Sequence, residues 1–94
     1  MRMTAARTLD RADELLALLR ADDLPDLGLV AIGQGSRLPL EMAVRVTLTE
    51  LARLERLSAA GCETDPARWQ QLAEDVERLY SLAGAAPGPS RVHT

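Results

Sequence analysis

PLEMAVRVTLTELARLERLSAA, residues 39–60, is the stretch on which the fold turns. At about 100° per residue, Leu40, Val44, Leu48, Leu51, Ala52 and Leu54 share one face, the pattern of an amphipathic helix. Pro39 suits the first helical position, where its missing N–H would be unpaired anyway. Gly61 follows the helix and can take the left-handed conformation that ends it. The other face is not purely polar: Met42, Val46 and Leu57 project there among Arg45, Arg53 and Arg56. A helix apolar on two sides is either central in its fold or shared with a partner. Two coverings fit the second stripe, the segment just upstream folding back over it or a second protein. Thr47 and Glu55 fall within the core-facing arc. A carboxylate there must pair with an arginine or reach solvent, since burying it alone is costly.

Two more helices flank this one. The first spans about residues 5–21, capped by Thr4 or Thr8, with Ala5, Leu9, Ala12, Leu15, Leu16, Leu18 and Leu19 on one broad arc and Arg7, Asp10, Asp13 and Glu14 opposite. Pro25 forces the chain out of it. The third spans residues 65–83, with Asp65 as cap, Pro66 at the first position and Gly84 as the expected stop. Its apolar face is Trp69, Leu72, Ala73, Val76, Leu79, Tyr80 and Ala83. The expected fold is therefore all-α: a small three-helix bundle in one domain, residues 1–84, followed by a flexible tail, 85–94, that carries His93. The connection 22–38 is too long for a turn, because helix–helix connections in bundles take roughly 2–8 residues. It contains LGLVAI (27–32) and GQGS (33–36). A run this short fits a strand, a helical turn or an extended lid equally well. A strand would need a hairpin partner in Arg37–Glu41, or another chain, to satisfy its backbone.

Composition narrows the function. Ninety-four residues hold one core. Seventeen Leu and fifteen Ala, with no Phe, favour helix and exclude a β-sandwich or barrel. All eleven basic residues are Arg and the net charge is −3, which argues against general nucleic-acid binding, where phosphate contacts need a basic surplus. Arginine as the sole cation, with Lys and Asn absent, suits a GC-rich bacterial genome. A single cysteine, Cys62, allows no intramolecular disulfide and points to a reducing compartment. The longest uninterrupted apolar run, Leu29–Ile32, is far short of a membrane span, and the acids of the first helix do not fit a signal peptide. A cytoplasmic protein is expected.

Short motifs add little chemistry. Asp22-Asp23-Leu24-Pro25-Asp26 has the spacing of the Mg²⁺-holding motif of isoprenoid synthases, but Pro25 breaks the required helix and the chain cannot enclose the cavity. These aspartates are expected to end the first helix and start a turn. Gly33-Gln34-Gly35-Ser36 lacks the lysine and upstream strand of a phosphate-binding loop. In a small acidic helical chain, Ser36 after a long first loop resembles the acyl or peptidyl carrier proteins. That resemblance implies a phosphopantetheine on Ser36. The flanking Gly35 and Arg37 depart from the Asp and Leu of that family, and one long third helix replaces its two short ones. Cys62 and His93 are too few for a metal site. Trp69 and Tyr80, on one face of the third helix, suit core anchoring better than base stacking.

No acid, base and nucleophile converge, so the expected function is non-catalytic: a protein–protein interaction module such as an adaptor, co-chaperone, regulator or accessory subunit. It would work as a homodimer or on a larger protein, without cofactor, metal, nucleic acid or membrane. The expected contact surface is Met42, Arg45, Val46, Arg53 and Leu57, extended by Leu29, Val30 and Ile32. A carrier-like protein modified at Ser36 is the alternative.

Overall fold

The computed structural model describes residues 2–33 and 35–85, with side chains for 7–33 and 35–84. Three helices form, α1 (Arg2–Arg20), α2 (Leu40–Ala59) and α3 (Pro66–Ala85). Between the first two lies a hairpin, β1 (Leu29–Ile32) and β2 (Ser36–Pro39). The all-α expectation is thus corrected to a mostly helical domain with a small antiparallel sheet. Leu29 pairs with Pro39, Val30 with Leu38, Ala31 with Arg37 and Ile32 with Ser36, so β1's partner is Ser36–Pro39 and not Arg37–Glu41. The turn bends through Gly33 at φ +58° and Gly35 at φ +104°, in the left-handed half of backbone space that glycine enters at least cost. Strand alternation turns Val30 and Ile32 inward and Leu29 and Ala31 outward.

Each helix end has a local cause. At the end of α1 the Asp23 N–H donates to the Leu18 carbonyl and the Asp22 N–H to that of Leu19, with Asp22 left-handed at φ 59°. This is a Schellman closure on an aspartate, one of the residues that tolerate that region best after glycine. Pro39 stands one residue earlier than expected, as an extended N-cap at the end of β2. Gly61 closes α2 at φ +85°, its N–H donating to Ser58 and that of Cys62 to Leu57. At α3 the Asp65 Oδ1 accepts the Ala67 N–H at 3.0 Å, the capping geometry expected from the sequence. Gly84 does not stop this helix, which continues to Ala85. Ala83 in the last turn is buried in the core, and Gly84 beside it keeps helical backbone. His93 and the rest of the expected tail from residue 86 lie outside the described residues.

The core joins Ala12 and Leu15 of α1, Leu40, Ala43, Val44, Leu51 and Leu54 of α2, and Leu72, Val76, Leu79 and Ala83 of α3 to Val30 and Ile32 of the hairpin. Asp75 sits among these apolar residues at 4% exposure. Both its oxygens accept the Gly33 N–H at 3.2 Å, and Oδ1 also accepts Gln71 Nε2 at 3.2 Å and Arg78 Nη1 at 3.3 Å. Arg78 Nη1 reaches on to the Ala31 carbonyl at 3.4 Å. The hairpin is therefore fixed to α3 at its tip and along β1, and both strands pack on α2. A two-stranded sheet is marginal by itself, so these contacts decide where it lies.

Asp75→Ala should lower unfolding free energy by about 1–3 kcal/mol, because the Gly33 donor loses its acceptor. Amide exchange should accelerate at Gly33 first while far-UV helicity is retained; unchanged exchange there would refute the clamp. Gly84→Ala should raise stability by about 0.5–1 kcal/mol, as expected for a glycine in helical conformation with open space around it, and thermal unfolding will show the sign.

Candidate functional site

The outward side of α2 carries the candidate surface. Met42 and Val46 are 48% and 46% exposed and one helical turn apart. Arg45 lies beside them with Nη2 on Glu41 Oε2 at 3.1 Å, and Arg53 is held by Glu50 at 3.0 Å. Leu29, 62% exposed, sits on the outer face of β1 opposite Pro39, which runs directly into α2. Leu29, Pro39 and Met42 are thus within one strand pair and one helical turn of each other. Of the expected contact residues, Leu29, Met42, Arg45, Val46 and Arg53 are solvent-facing.

Three of the expected contact residues are placed differently. Val30 and Ile32 are core residues, because the pleat of β1 points them at the helices. Leu57 is half-buried and packs against the core. The cause is a rotation of α2. With the hairpin packed on it, the buried face keeps Thr47 where the sequence put it and shifts to include Ala43, while Leu48 and Ala52 become half-buried. The same rotation turns Glu55 out to solvent, so it is not the carboxylate of the helix seam. Of the second apolar stripe, Leu57 packs against the core and Met42 and Val46 remain exposed.

The seam carboxylate is Glu50, unremarked in the sequence. It accepts Arg53 through Nη2 at 3.0 Å and Nε at 3.3 Å, and Arg68 of α3 through Nε at 3.3 Å. Hydrogen bonding from Arg53 is the largest influence on its carboxyl and, together with Arg68 and the charges of both, holds it below the ordinary value of 4.5 against the opposing effect of burial. Elsewhere Arg7 and Arg11 approach Glu77 at 3.4 and 3.6 Å, and the Arg11 guanidinium stacks 4.2 Å from the Tyr80 ring centre. Trp69 Nε1 donates to Thr64 Oγ1 at 2.7 Å. Both aromatics are half-buried against the core, as anchors.

An open groove of about 1000 Å³ runs between the start of α1, the end of α2 and the first turns of α3, with Thr8, Leu9, Ser58, Trp69 and Ala73 along it. A smaller hollow of about 160 Å³ lies where α1 ends and α2 begins, beside Asp22, Asp26 and Glu41. Among the described residues no three His, Cys, Asp or Glu side chains group as metal ligands, and no helix is long and apolar enough to cross a membrane. Ser36 opens β2, four residues ahead of α2, whereas the carrier resemblance calls for a serine at the helix start. Cys62 is exposed just after α2. No family model, curated protein or solved structure significantly matches the chain.

Replacing Glu50 with Gln tests the seam. A carboxylate whose folded value is depressed stabilises the fold above its unfolded value, and that contribution is lost as pH falls through the folded value. The wild-type advantage should be at most about 1 kcal/mol near neutral pH, as for partly exposed pairs. It should shrink as pH drops below 4.5, the ordinary carboxyl value. A difference independent of pH would exclude the ion pair as its source.

Proposed function

We propose that this chain is a non-catalytic protein–protein interaction module, of the adaptor, co-chaperone, regulator or accessory-subunit kind, that docks through the outward side of α2. The observation that carries this is the exposure of Met42 and Val46 side by side on a helix whose opposite face is fully engaged in the core. Large apolar side chains grouped in this way, next to arginines, are what helical interfaces use. Leu29 and Pro39 enlarge the apolar area at one end. The all-arginine basic complement and the lone cysteine suit a bacterial cytoplasmic setting.

The double change Met42→Glu and Val46→Glu separates interface from core. Both side chains are half exposed, so the fold should tolerate it with little change in helicity or Tm. Association, followed by light scattering for self-assembly and by affinity capture from the native host for other partners, should be lost. Retention of every associated protein by the double variant would remove the interface from α2.

A further inference from the structure

We draw no further inference here: the strongest candidate, the open groove of about 1000 Å³ beside Leu9, Trp69 and Ala73 between the start of α1, the end of α2 and the first turns of α3, is an apolar surface with nothing in the structure to show what covers it.

Discussion

The buried Asp75 carboxylate is the constraint from which the rest of the arrangement follows. A charge at 4% exposure among Leu72, Val76 and Leu79 is tolerable only if its oxygens are well supplied with donors. Three come from different places: the Gly33 amide at the hairpin tip, Gln71 one turn earlier and Arg78 one turn later. Only the first is distant in sequence, and it brings a two-stranded sheet onto a helical bundle. Arg78 then links the same carboxylate to the Ala31 carbonyl, so the tip and β1 are held by one network. The pinned hairpin delivers Val30 and Ile32 to the core and turns Leu29 outward.

The position of the hairpin also decides which side of α2 is interior. Ala43 becomes buried, Leu57 moves to the edge of the core, and Glu55 swings into solvent. A bare bundle would have centred the buried face nearer Leu48 and Ala52. The exposed pair Met42 and Val46 is what remains of the second apolar stripe once Leu57 has packed against the core.

Much of this was readable before any coordinates. The helix starts and stops at Asp65, Pro66 and Gly61 are local events, written in neighbouring residues, and they form as the residues dictate. Long amphipathic periods placed α1, α2 and α3 within a few residues. Four-residue strands carry too little alternation to be told from a helical turn, so the sequence alone does not decide the hairpin. The rotation of α2 could not be read at all, because it depends on what packs against the helix and not on the helix. Asp75 did leave a signal: three residues after Leu72 and four before Leu79, it interrupts the apolar face of α3 with a carboxylate. That interruption is stronger than the one at Glu55, since Leu72, Val76 and Leu79 around it are all buried. Gly84 misleads because a glycine late in a helix ends it only if it turns left-handed, and Gly84 keeps helical backbone.

Solvent paramagnetic relaxation of methyl resonances, in dilute monomeric protein with a soluble gadolinium chelate, tests the central placement most directly. The account predicts strong relaxation of the Leu29, Met42 and Val46 methyls and protection of those of Val30 and Ile32 to the level of Leu15 and Val76. Equal relaxation of Val30, Ile32 and Leu29 would mean that the hairpin does not sit on the bundle, and the surface derived from its position would fall with it.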